Sequence, residues 1–161
     1  MAARKLPSRI KEVNLFVDGY GLFGTVESIS LPSVKTKKEV QNGQHVDTGI
    51  LEAMEFEAEV NIVNMVIYKE AAKLQNAKLK AKGSYQEDGS NKAAVATLGG
   101  PIDIEPDAWK SGDAMKTKIK MYVNVYHLDL GGEEVINVDL PNFIAKIGGV
   151  DIYEQVKAAV M

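Results

Sequence analysis

Strict alternation over a long stretch is the feature that most constrains this chain. Within residues 115–139, Thr117, Ile119, Met121, Val123 and Val125 alternate with Lys116, Lys118, Lys120, Tyr122, Asn124 and Tyr126. Successive side chains of a strand point to opposite faces, so a period of two marks a strand with two chemically different sides. Gly131-Gly132 then offers the positive φ angles that a tight hairpin needs, and a return strand follows to Asp139. The alternation predicts a single strand of about thirteen residues, where five or six is usual. Such a length predicts a barrel or an extended wall rather than a small sandwich. The second face passes from lysines to Tyr122, Asn124 and Tyr126, the amphipathic character of a surface that meets another subunit.

The rest of the chain repeats this period with one interruption. Residues 1–12 read as a basic arm containing Pro7, residues 13–17 as a first strand, and Asp18-Gly19 as a hairpin turn. Residues 22–31 read as the return strand, closed by Pro32. Residues 33–40 stay extended, with Val34 set against Lys35, Lys37 and Lys38. Residues 41–49 (QNGQHVDTG) read as a polar loop between two longer strands, either a solvated connection or an arm that reaches a neighbouring subunit. In residues 52–60, Met54, Phe56, Ala58 and Val60 face one way and Glu55, Glu57 and Glu59 the other. Residues 62–74 switch to helical spacing, with Val63, Ile67, Ala71 and Leu74 on one stripe and Asn61 as N-cap. Strand alternation resumes over 78–86, a turn follows at 87–91, and 92–104 is extended with a bend at Gly99-Gly100-Pro101. Residues 105–113 form a loop with Trp109 as its packing anchor. The tail closes through 141–149 into a short helix, with Asp151 and Glu154 at the spacing of a capping box. The fold class is mainly β (α+β), barrel-like or sandwich-like, with one central flanking helix and a short C-terminal helix. A single domain over 13–161 follows the arm.

Composition narrows the functional classes. The chain has 161 residues, 45% hydrophobic and 25% charged, enough for one real core. A net charge of −3 gives no bulk attraction for nucleic acid. Without cysteine, disulfides and thiolate zinc sites are excluded. The N-terminus lacks an apolar signal core and no run approaches a membrane span, which predicts a soluble, cytoplasmically made protein. Gly19-Tyr20-Gly21-Leu22-Phe23-Gly24 spells G-x-G-x-x-G, but the residues after it are strand-like, whereas a dinucleotide site needs a helix there. His45 and His127 are isolated, and no nucleophile–base or metal spacing presents itself. Glu55, Glu57 and Glu59 would stand about 7 Å apart on one strand face, which makes a charged surface rather than a cation cage. Asp103, Glu105 and Asp107 flank Pro106 and likewise make no cage. The expectation is a protein that is not an enzyme and carries no cofactor or metal.

An ordered set of segments is more specific than any of these. VNLFVDGYGLFGTVESISLP, VDTGILEAMEFEAEV, KGSYQEDG, IDIEPDAWKSGD and YHLDLGGEEVINVDLPNFIAKIGGVD follow one another across residues 13–155. Together they resemble the FII-type major tail tube proteins of contractile-tailed phages, and the tube proteins of R-type pyocins are similar. The loop QNGQHVDTG is shorter than the Gly-rich loop usual there. The resemblance implies a homohexameric ring, with rings stacked into a hollow tube inside a contractile sheath. It implies a virion tail or a bacteriocin particle assembled in the host bacterial cytoplasm. The partners implied are copies of itself, the sheath, baseplate and tail terminator proteins, and a tape-measure protein and DNA passing through the lumen without specific binding. A pyocin-like tube would pass ions instead. Glu55, Glu57 and Glu59 are candidates to line the bore; Lys35 and Lys37 are the alternative, or the two rows face each other in ion pairs. Candidate contacts between subunits or rings are Gln41, Asn42, His45, Asp47, Trp109, Tyr122 and Tyr126. A tube of the type VI secretion kind and a monomeric barrel for a small ligand are the competing readings.

Overall fold

The computed structural model describes residues 8–22, 24–62, 64–154 and 158; the N-terminal seven residues and almost all of the expected C-terminal helix lie outside them. β1 (Arg9–Val17) turns at Asp18-Gly19 into β2 (Tyr20–Gly21), and β3 (Val26–Ser30) follows. β4 (Thr36–Gln41) and β5 (Gln44–Leu51) make a hairpin, β6 (Met54–Val60) leads into α1 (Met65–Ala71), and β7 (Lys78–Glu87) pairs with β8 (Ser90–Gly99). β9 (Ile102–Pro106), β10 (Thr117–Val123), β11 (Val125–Leu130), β12 (Glu133–Asp139), β13 (Ile144–Ile147) and β14 (Val150–Asp151) follow in order.

These strands make two large sheets and one small one. The larger has eight strands in the order β14-β13-β12-β11-β8-β7-β1-β2, the second has four in the order β3-β6-β10-β9, and β4-β5 stands apart. The apolar face of each large sheet meets the other in one core. Leu15, Val17, Leu79, Leu98, Tyr126 and Val138 come from the eight-stranded sheet, and Phe56, Ala58, Val60, Ile119 and Met121 from the four-stranded one. The sheets are therefore layers of a sandwich within one subunit, not a closed barrel.

The thirteen-residue strand does not exist as one element. It breaks at Asn124, and its halves belong to different sheets: β10 pairs with β6 and β9, while β11 pairs with β8 and β12. Asn124 spends its backbone groups on the joint, donating to Gly99 O at 2.8 Å and accepting from Leu140 N at 3.1 Å. The phase of alternation slips there, so that Val123 and Tyr126, three residues apart, both point into the core. The bend expected at Gly99-Gly100-Pro101 is the matching joint between β8 and β9. Both segments change layers side by side, tied by Tyr122 N–H to Pro101 O at 2.9 Å.

Other expectations shift as well. The arm gives way to strand from Arg9 onward. Residues 22–31 are not one return strand: β2 ends at Gly21, and β3 lies in the opposite layer. After the G-x-G-x-x-G letters comes β3, a strand, as read from the sequence. Residues 41–49 are not a loop but the turn and most of the second strand of the β4-β5 hairpin. The helix is shorter than expected and is capped by Asn64, whose Oδ1 accepts from Val66 N at 3.0 Å. Asn61 instead donates its amide to Glu27. The buried Glu70 holds α1 in place: Oε1 accepts Lys78 N–H at 2.7 Å and Oε2 meets Lys73 Nζ at 2.8 Å. Residues 141–149, through which the tail closes, contain β13, and Asp151 Oδ1 accepts Tyr153 N–H at 3.0 Å.

The joint offers a direct test. Gly100 sits at φ 152°, and a Cβ there would overlap the carbonyl oxygen of Tyr122. Gly100→Ala is expected to destabilise the unassembled subunit by about 2–4 kcal/mol, read as a lowered urea midpoint. Gly112→Ala, in the open loop between β9 and β10, is expected to cost roughly 1 kcal/mol through its positive φ alone.

Candidate assembly surfaces

The outer face of the four-stranded sheet carries charge in rows. Glu55, Glu57 and Glu59 alternate with the buried Met54, Phe56, Ala58 and Val60, as the sequence predicts. Across the β6-β10 ladder, Lys118 stands opposite Glu59, Lys120 opposite Glu57 and Tyr122 opposite Glu55. On the far side, β9 places Glu105 beside Lys118 and Asp103 beside Lys120. A lysine row is thus held between two acidic rows. Lys120 Nζ lies 3.5 Å from Glu55 Oε2 and 5.4 Å from the Tyr122 ring centre. The Glu55 carboxylate, followed by Tyr122, raises the Lys120 pKa above the usual lysine range. Asp103 beside Tyr122 pushes that phenol up. At the rim, the Asn61 amide bonds Glu27 at 3.0 Å and, with Lys116 at 3.5 Å, holds its carboxyl below the usual range. Such solvated pairs are screened by water and salt and add little to stability. Their sum matters more: five carboxylates (Glu55, Glu57, Glu59, Asp103, Glu105) against Lys118 and Lys120 leave the face acidic.

The bases opposite the Glu row are therefore Lys118 and Lys120, not Lys35 and Lys37. Lys35 lines a cleft of about 340 Å³ together with Glu55 and Glu57, and Lys37 lies on β4, outside this sheet. Nothing in the sequence indicates which strand would pair with the Glu row, so the lysines of β10 could be seen there but not assigned to it.

The β4-β5 hairpin carries Gln41, Asn42, His45 and Asp47, all exposed. It turns at Asn42-Gly43, both at positive φ (51° and 78°), the turn that matches strand twist. Its base is tied to the body by Leu51 N–H to Tyr153 Oη at 3.0 Å and Glu52 N–H to Lys35 O at 2.8 Å. Asp47 accepts from Gly49 N at 2.9 Å and Thr36 Oγ1 at 2.7 Å, which keep its carboxyl below the usual range. Val40, Val46 and Ile50 are exposed on this hairpin. A two-stranded hairpin is at best marginal alone in water, so those apolar groups favour a partner.

Trp109 is 81% exposed and does not anchor its loop, contrary to expectation. The loop is closed at its base by Asp107 N–H to Lys116 O at 3.0 Å. The two tyrosines part company: Tyr122 is on the charged face, whereas Tyr126 is 1% exposed in the core and is not a surface contact. The slipped phase at Asn124 is the cause.

A sandwich with an acidic outer wall, two sheet edges and a projecting hairpin is the setting for the comparisons. The sequence model of the family described as phage tail tube protein FII matches residues 7–160. The chain belongs to the phage tail tube protein FII family. It is similar to the tail tube protein of Escherichia phage P2, 28% identical over 163 residues that cover 93% of this chain and 95% of that protein. It is also similar to the major tail tube protein of Serratia phage KSP20, 26% identical over 158 residues covering 92% of each. The fold matches that of Hcp1 from Flavobacterium johnsoniae with a TM-score of 0.53 at 9% identity, over 77% of this chain and 98% of that one. A tail tube protein is a structural component of the phage tail. The resemblance read from the ordered segments and the family match agree.

Tyr126 gives this tail tube subunit an alkaline signature. Burial pushes its phenol up to about 12 from the ordinary 10.0. A raised folded pKa means stability that is fully present below the unfolded pKa and lost as pH rises from about 10 towards 12. About 2–3 kcal/mol is at stake for two pKa units. Tyr126→Phe is expected to flatten the fall in urea midpoint across that window, whereas Tyr122→Phe leaves most of it.

Proposed function

We propose that six copies of this tail tube protein close into a ring whose bore is lined by the four-stranded sheets. One observation carries the reading: four strands of alternating direction, apolar inside and charged outside, end in two unpartnered edges, β3 and β9. With an even number of alternating strands the two edges run in opposite directions. When every copy points the same way, β9 of one copy meets β3 of the next antiparallel, so a head-to-tail ring closes without a mismatched seam. Six copies of four strands make a barrel of about 24 strands. At a spacing of about 4.8 Å and a tilt near 45° its backbone diameter is roughly 50 Å. Side chains reduce that to about 40 Å, a bore wide enough for a DNA duplex. Closure also removes both free edges, the liability that extended sheets otherwise carry.

In this arrangement Glu55, Glu57 and Glu59, with Asp103 and Glu105, line the bore. Their net negative charge repels phosphate, so DNA passes without adhering. Lys118 and Lys120 lower mutual repulsion among the carboxylates, Lys35 stands at the margin of the wall beside Glu55 and Glu57, and Lys37 stays off it. Gln41, Asn42, His45 and Asp47 on the hairpin, and Trp109 on its loop, join subunits within and between rings. The eight-stranded sheet faces outward, towards the surrounding sheath. Baseplate and terminator proteins meet the two ends of the tube, and a tape-measure protein occupies the lumen before DNA. Assembly takes place in the host bacterial cytoplasm, and the protein does no covalent chemistry.

Negative-stain microscopy of the purified protein is expected to give rings and tubes with an open centre. Deleting residues 41–49 removes the hairpin and is expected to leave a subunit that still unfolds cooperatively in urea but no longer polymerises. Normal tubes from that deletion would refute the role given to the hairpin. Replacing Glu55, Glu57 and Glu59 together by Lys is expected to leave tubes that retain polyanions; equal retention by the native tube would refute the role given to the acidic wall.

A further inference from the structure

We infer that α1 of one subunit seats on an apolar shelf beside β3 of the next. The inference rests on the head-to-tail ring proposed above. Two observations on opposite flanks of the subunit carry it.

The first is a helix with apolar groups on both sides. Ile67 and the Glu70 anchor face inward, yet Met65 is 67% exposed and Tyr68 is 44% exposed one turn along. Residues three apart on a helix share a face, so Met65 and Tyr68 form one outward apolar patch. A helix that is apolar on both sides is a buried helix, and here only one side is covered within the subunit. α1 packs against β9 and β1, which places the uncovered patch on the flank that ends in edge β9.

The second is an apolar cleft of about 450 Å³ on the other flank. Its walls come from β1, β7, β8 and β11 on one side and edge β3 on the other. Ile10, Val13, Ile29, Leu31, Ala94 and Leu128 line the cleft. Several of its lining positions are small, Ala81, Gly83 and Ala96 among them, which leaves room for a large incoming side chain. Ile10 and Leu31 are exposed in the isolated subunit.

A heterologous contact needs two different, complementary patches on one chain, and these flanks supply them. When β9 of one copy lies along β3 of the next, the α1 flank and the cleft flank are brought to the same seam. Both patches are apolar, and the occupant proposed is a large aromatic with a neighbouring methionine, the residue types that anchor interfaces. Trp109 is the competing occupant, since its loop leaves the end of β9.

The chain has no cysteine, so engineered pairs report contacts without background. In assembled protein, Tyr68→Cys combined with Ala94→Cys is expected to give, on oxidation, a non-reducing ladder that ends at the ring. Mixing the two single variants should give cross-linked dimers and no longer species. Ser28→Cys with Glu105→Cys tests the β3-β9 seam separately. A ladder from the seam pair but none from 68–94 leaves the ring standing and overturns the α1 contact, and a ladder from Trp109→Cys with Ala94→Cys would assign the cleft to Trp109. Tubes with no ladder from any pair would overturn both readings. As a second measurement, Ala94→Trp fills the cleft from within; it is expected to keep the native spectrum and raise the concentration needed for assembly at least tenfold. Tubes formed by Ala94→Trp at the native concentration would overturn the inference.

Discussion

A strand at the edge of a sheet presents a row of N–H and C=O groups that water satisfies only until another chain arrives. The four-stranded sheet has two such edges, β3 and β9, each five residues long; β3 carries an irregularity between Val26 and Ser28, and among the described residues no further strand covers either edge. In a monomeric β protein that arrangement is a hazard. In the ring proposed above it is the means of assembly, because the two edges run in opposite directions and can pair antiparallel between copies. The alternation along β6 and β10 then has two consequences at once. Buried Phe56, Ile119 and Met121 hold the sheet on its partner layer, and Glu55, Glu57, Lys118 and Lys120 give it an outer face that tolerates water.

The wall depends in turn on the joints where the chain changes layers. Gly99-Gly100-Pro101 and Asn124 lie side by side, and between them they let β8 and β11 belong to one sheet while β9 and β10 belong to the other. Gly100 allows the close approach to Tyr122 that no side chain permits. The cost of that geometry is local, and what it secures is a charged face and a core-filling face on consecutive segments.

Much of this was legible in the sequence. The period of two marked β6, β7 and β10, the Gly-Gly and Asn-Gly pairs marked turns, and the ordered segments carried the family. The break at Asn124 was not legible, because alternation on either side of a sheet change looks continuous unless the one-residue slip is noticed. That slip moved Tyr126 from the surface to the core. The pairing of the Glu row with the lysines of β10 was also out of reach, since residues 57 and 120 are brought together only by tertiary pairing. The outward patch of Met65 and Tyr68 was hidden for a different reason. The stripe of Val63, Ile67, Ala71 and Leu74 accounted for a helix on its own, and a second apolar side becomes visible only once burial is known.

The central claim, that the edges of the four-stranded sheet are paired between subunits, is tested most directly by backbone amide exchange measured on unassembled subunits and on tubes. The account predicts that the outward-pointing amides within residues 26–30 and 102–105 exchange at least about a hundredfold more slowly in tubes, a protection comparable to that of ladder bonds inside a sheet. Tubes in which both segments exchange as fast as in the free subunit would contradict it.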